Sequence, residues 1–250
     1  MDIMDIRNME GLPKSARKVL DPLLNDLIGE YGESIISVIV YGSVTGPEYD
    51  PKTSDVNVAV VLNDVSLAKL KPALGIVKKG LKKGITAPLF LTPAYIRMSL
   101  DTFPMEFIEM KDSRCVLLGE DVLADIDVKK EDLRRECEYQ LKGKLLTIRQ
   151  AYLEQALTRR GLEGLIKASF RALVPVFRNV LRVKGVRPQP IKEQMLHQVE
   201  EEFNVDVSSF LEVLRDKESD GHVGEKPAET FLNDFLIQLE HISHVIDALS

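Results

Sequence analysis

The chain has 250 residues, is 44% hydrophobic and 29% charged, and carries a formal net charge of -6. Those values belong to an ordinary soluble globular protein with room for one large or two small domains. They lack the basic balance that duplex nucleic acid selects for. The two cysteines, Cys115 and Cys137, are too few for a disulfide framework and lack metal-ligand spacing. They read as small core residues of a reduced, cytoplasmic protein. The start, MDIMDIRNME, mixes acids into its apolar residues and does not read as a signal peptide. No apolar run approaches the roughly 20 residues needed to span a bilayer.

Leu12, Val19, Leu20, Leu23, Leu24, Leu27 and Ile28 recur at helical spacing and predict a helix over 12–30, ended by Gly32. Residues 35–41 are short and β-branched and predict a buried strand; 56–62 predict another. Ser66 stands where it would cap a Lys-rich helix running to about Lys83, with Gly84 as its stop. Residues 88–91 predict a third strand. Residues 105–110 set Met105, Phe107 and Ile108 against Glu106 and Glu109, an alternation that predicts a fourth. A short edge strand is expected at 116–118.

From Val128 onward strand signals vanish. Helical patterns follow at 129–158, 161–184, 190–203, 207–216 and 227–249, with Pro175 placed to kink the second and loops at 185–190 and 219–227. The expected architecture is α+β. Residues 1–127 form a mixed sheet with flanking helices, and residues 128–250 form an all-α helical bundle. There are no internal repeats or low-complexity segments.

The segment from Val38 to Leu62, VIVYGSVTGPEYDPKTSDVNVAVVL, joins an apolar strand, a Gly-Ser turn, a polar loop, an aspartate and a second apolar strand. This plan resembles that of the polymerase-β-type nucleotidyltransferases. The two-domain layout is similar to that of the aminoglycoside nucleotidyltransferases, in which a helical bundle also follows the catalytic domain. The resemblance implies that Gly42 and Ser43 cradle nucleotide phosphates, Gly by permitting close backbone approach and Ser by donating its hydroxyl. It implies that Asp55 and Asn57 stand where the family carries two aspartates that bind magnesium on one face of a strand. The segment FRNVLRVKGVRPQPIKEQML resembles the bundle region that supplies cations to the triphosphate, with Arg178 and Lys192 as the matching positions.

Two departures from the family pattern matter. Asn57 brings a carbonyl oxygen but no charge. The third carboxylate has two candidate registers, one placing Phe90 at the position and the other Glu106. Losing one ligand charge from a two-metal site costs several kcal/mol, and each 1.36 kcal/mol is tenfold in rate. The sequence therefore points to a nucleotide-binding protein, with ATP as ligand or substrate, at most weak magnesium binding and weak or lost transfer activity. The competing reading is an active magnesium-dependent enzyme moving a nucleoside monophosphate to a hydroxyl of a small molecule or protein. A structural oligomerisation module, including a homodimer, is a third. Membrane and nucleic-acid partners are not expected.

The remaining candidates read as structural. His241 and His244 sit one turn apart with no third ligand in sight, and His197 and His222 are isolated. The run KKGLKK at 78–83 fits the solvated face of a helix. The short Arg-to-His spacing of helical ribonucleases is absent after Arg178 and Arg182.

Overall fold

The computed structural model of the chain describes residues 6–155, 158–216 and 227–249. His222 and residues 219–226 of the expected loop lie outside them. The chain divides into two compact units after Val128.

In the first unit, α1 (Lys14–Tyr31) buries Leu20, Leu23, Leu24 and Leu27 along one stripe. Gly32 ends it at a φ of +47°. Then follow β1 (Ile35–Tyr41), β2 (Asn57–Leu62), α2 (Leu67–Leu70), α3 (Ala73–Leu81), β3 (Leu89–Leu91), α4 (Pro93–Met98), α5 (Pro104–Asp112) and β4 (Arg114–Gly119). The four strands form one mixed sheet in the order β3-β2-β1-β4. β1 runs antiparallel to β2 and β4, while β2 and β3 are parallel.

Both sheet faces are covered, which explains why β1 and β2 read as continuous apolar runs. Val38, Val40, Val58 and Val60 pack with α1 and α3. Ile39, Ala59 and Val61 pack on the other face with Ile96, Phe107 and Met110 of α4 and α5. The outer edge of β4 is tied to the N-terminal segment: Arg7 N–H donates to Leu117 O at 2.8 Å and Asn8 Nδ2 to Val116 O at 2.9 Å. Such cover removes an open strand edge.

Two expectations are corrected here. Residues 105–110 are helical, not a strand. Pro104 sits in the first turn of α5, where its fixed φ favours a helix start, and Phe107 and Met110, three apart, reach the core together. A six-residue alternation is too short to separate the two periods. The Lys-rich helix is also not continuous. Pro72 separates α2 from α3, and Ser66 makes no side-chain cap. Its N–H and hydroxyl both donate to the Asp64 carboxylate instead, at 2.8 and 3.1 Å.

The second unit is helical: α6 (Lys130–Gln155), α7 (Arg159–Val183), α8 (Lys192–Phe203), α9 (Ser208–Arg215) and α10 (Ala228–Asp247). Helix α7 packs against the other four and runs through Pro175 to Val183. Thr158 caps it by accepting from the Gly161 N–H at 3.1 Å. In the core Phe210 lies edge-on between Phe177 and Phe235, with centroids 5.0 and 4.7 Å away. No helix among the described residues is long and apolar enough to cross a membrane.

Candidate functional site

β1 ends in a turn that only glycine can make. Gly42 has φ +83° and ψ -152°, a region closed to residues with a Cβ. Its N–H donates to Ser113 O at 2.9 Å, which holds the turn to the start of β4. Its carbonyl accepts from the backbone N–H and hydroxyl of Thr45, at 3.1 and 2.9 Å. Val44 is buried and anchors the following 3-10 turn, while Ser43 is exposed. Among the described residues the Ser43 hydroxyl has no hydrogen-bond partner. On the β4 side Thr45 and Arg114 line an open cavity of about 690 Å³ with Asn8, Met9 and Leu12, so the outer side of the turn faces a recess rather than packed core.

The loop back to β2 is organised by Asp50. Its carboxylate accepts from the Lys52 N–H and the Thr53 hydroxyl, both at 2.9 Å. These bonds, the Lys52 N–H first, hold its carboxyl below the usual carboxylate range. The loop then delivers Asp55, exposed, two residues before the half-buried Asn57 that opens β2.

Strand register sets a row of polar side chains across one sheet face. Tyr41 of β1 pairs with Asn57 of β2 and with Arg114 of β4. This is the face of Ile39, Ala59 and Val61, opposite α1. Arg114 forks onto Asp121, with Nε and Nη2 donating at 2.9 and 2.7 Å, and also donates to Lys111 O. Burial raises the Tyr41 phenol above its ordinary value. On the other side of Asn57 lies Thr86, whose hydroxyl donates to Asn57 Oδ1 at 3.1 Å. The opposite end of the amide, Nδ2, rests against Gly42: a Cβ there would stand 3.2 Å from it.

Neither expected register for a third carboxylate holds. β3 does lie beside β2, but Phe90 pairs with Val60. It therefore points to the α1 side, where its ring meets Tyr31 at 6.1 Å. The β3 residues that share the face of Asn57 are Leu89 and Leu91, paired with Ala59 and Val61. Glu106 sits in the first turn of α5, exposed, with no place in the sheet. On that helix Glu106 and Glu109 are three apart and share a side, whereas a strand would oppose them.

In the second unit Arg178 is half-buried on α7 and Lys192 opens α8, also half-buried. His197 pairs with Glu200 one turn on, at 3.1 Å, and His241 and His244 are exposed on α10. Within the lysine run Lys79 pairs with Asp26 at the surface. Thr86, Tyr41 and Arg114 escaped sequence reasoning. Tyr41 adjoins the Gly-Ser turn and was within reach of the motif; Arg114 is brought in by strand pairing and Thr86 by the backbone bridge between Val56 and Ile85.

The side chains at the start of β2 do not fit magnesium, which wants several hard, anionic oxygens. Of the two motif positions 55 and 57, Asp55 alone carries a carboxylate. The Asn57 carbonyl is already bonded to Thr86, and β3 contributes leucines. No group of three or more His, Cys, Asp or Glu side chains with metal-holding geometry occurs among the described residues.

The α+β unit, with a Gly-Ser turn ending β1 and Asp55 two residues before β2, is followed by a helical unit, and the whole is similar in fold to a solved nucleotidyltransferase. One solved structure that it is similar to is the spectinomycin adenyltransferase AAD(9) from Enterococcus faecialis, crystallised with ATP and spectinomycin. The likeness covers 92% of this chain and 98% of that one, at a TM-score of 0.55 and 11% sequence identity. No protein-family profile matches the chain, and no curated protein matches it.

Proposed function

We propose that this is a nucleotide-binding protein on a nucleotidyltransferase scaffold, with transfer activity weak or lost. The observation that carries the reading is the pairing of a kept turn with a changed strand. Gly42 retains a backbone conformation closed to other residues, beside the exposed Ser43, and Asp55 is exposed two residues before β2. The neighbouring positions on that face are Asn57, Leu89 and Leu91. A phosphate cradle survives such changes, because it needs backbone approach and hydroxyl donors. Two-metal phosphoryl chemistry does not, because it needs carboxylates to hold the metals and activate the acceptor.

In this reading Gly42 and Ser43 meet the phosphates, and Arg178 and Lys192 are the bundle cations assigned to the same ligand by resemblance. Glu106 is left out of the site. The adenyltransferase with the similar fold was crystallised with ATP and an antibiotic, which supports a nucleotide and a small hydroxyl compound as the ligands to test first. Titration of the full chain with ATP, paired with an assay of pyrophosphate release in the presence of spectinomycin, tests the proposal. Saturable ATP binding with little or no pyrophosphate is the expected result. Rapid acceptor-dependent release would establish a competent transferase, and absence of ATP binding would reject the reading.

A further inference from the structure

We infer that Thr86 turns the Asn57 amide so that its N–H donors, and not a metal ligand, face the Gly42–Ser43 turn, and that this site holds nucleotide phosphates without a divalent cation. The inference rests on the nucleotide-binding reading above and adds to it how the charge is met.

The orientation of the amide follows from the hydrogen bonds around it. The Thr86 hydroxyl has one proton and two acceptors within reach, Asn57 Oδ1 at 3.1 Å and Val56 O at 3.4 Å. Val56 O already accepts the Thr86 backbone N–H at 3.1 Å. The contact to Asn57 Oδ1 is the shorter of the two, so the hydroxyl proton is assigned to it. With Oδ1 taken, Nδ2 is directed to the other side, where it lies over Gly42. A flipped amide would leave the hydroxyl only the longer contact, to Val56 O at 3.4 Å.

The consequence is a change in the sign of what position 57 offers. A second aspartate presents an anionic oxygen, which repels phosphate unless a metal lies between them. The Asn57 amide presents N–H groups, which bond phosphate oxygen directly. The Ser43 hydroxyl, without a partner among the described residues, adds a second donor beside it. Asp55 is then the odd member. It is exposed, so water screens it, and in the absence of a metal it opposes the ligand. Thr86 acts through Asn57 and is a positioning residue.

This makes opposite-signed predictions for Asp55, measured as ATP affinity by calorimetry on the full chain in EDTA and in magnesium. Wild type is expected to bind ATP equally in both. Asp55→Asn should tighten binding in EDTA severalfold, since unit charges roughly 4 Å apart in water interact by about 1 kcal/mol. Asn57→Asp should weaken binding in EDTA by about tenfold or more and make it magnesium-dependent. Thr86→Val frees Oδ1, so affinity in EDTA should fall while magnesium-dependence rises. Thr86→Ser, which keeps the hydroxyl, should restore wild-type behaviour and separates loss of the bond from loss of the fold. Wild-type binding that requires magnesium, or weakening by Asp55→Asn, overturns the inference and leaves the nucleotide reading standing. No ATP binding by wild type in either buffer removes both.

Discussion

Gly42 and Asn57 fit against each other across the β1–β2 pair: the missing side chain of one makes room for the amide of the other, at 3.2 Å from a would-be Cβ. Gly42→Ala therefore meets two penalties. The backbone must leave φ +83° or be strained by about 1–3 kcal/mol, and the Asn57 amide must give way. We expect a lower denaturation midpoint of that order together with weaker ATP binding, both read on the same preparation by urea unfolding and calorimetry. Gly84→Ala is the control. Gly84 also has positive φ, at +79°, but open space around it, so only the backbone penalty of about 1–2 kcal/mol applies.

Gly119→Ala should be the worst of the three. A Cβ there would sit 2.0 Å from Ile36 O and 2.8 Å from its carbonyl carbon. Those are backbone atoms of a central strand that cannot swing aside. The pairing of β1 with β4 is irregular in this region, and Ser37 Oγ donates to Glu120 O at 2.6 Å, so a shift breaks several bonds at once. The expected order of urea midpoints is Gly84→Ala above Gly42→Ala above Gly119→Ala. A Gly119→Ala protein as stable as Gly84→Ala would contradict the packing described.

Much of this fold is written in periodicity. Ile35–Tyr41 and the run ending at Leu62 are buried on both faces, and a β-branched run with no alternation says so directly. The long helices of the second unit each carry several turns of apolar spacing, enough to distinguish period 3.6 from 2. Residues 105–110 carry fewer than two turns, and there the distinction failed. The Gly-Ser turn was legible because no other residue adopts its backbone. What the sequence hid was register. Phe90 and Leu89 differ by one position in a three-residue strand, and only the pairing of Leu89 with Ala59 decides which side chain shares the face of Asn57. Thr86 is likewise unreadable locally, because its bond to Asn57 spans 29 residues.

The buried thiol of Cys137 gives a pH dependence of known sign. Burial, assisted by the Glu136 carboxylate, pushes it from 9.0 up to about 12. The folded state then holds the proton more tightly than the unfolded chain, so stability is full below pH 9 and falls as pH rises from there to about 12. Three units at 1.36 kcal/mol each set the upper scale at ~4 kcal/mol. Unfolding free energies measured between pH 8 and 11 should decline, and Cys137→Ala should flatten part of the slope. The raised phenols of Tyr31 and Tyr41 act in the same direction, so the slope is not expected to vanish. A stability rising over this range would contradict the assignment.

Arg178 and Lys192 test whether the second unit takes part in binding. A charge-assisted contact to a phosphate contributes about 1.5–3 kcal/mol, and each 1.4 kcal/mol is tenfold in affinity. Alanine at either position should weaken ATP binding by about one to two decades if the contact is direct. A diffuse field from exposed cations would behave differently: at about 0.15 M ionic strength it is screened beyond roughly 8 Å. Titrations at low and moderate salt therefore separate the two. A loss that persists in salt marks direct contact, and a loss that disappears marks general charge. Lys78→Ala is the comparison, an exposed cation at the end of α3, expected to leave affinity unchanged. If Arg178→Ala and Lys192→Ala both match it, the nucleotide is held by the first unit alone, and the assignment of bundle cations by resemblance is wrong.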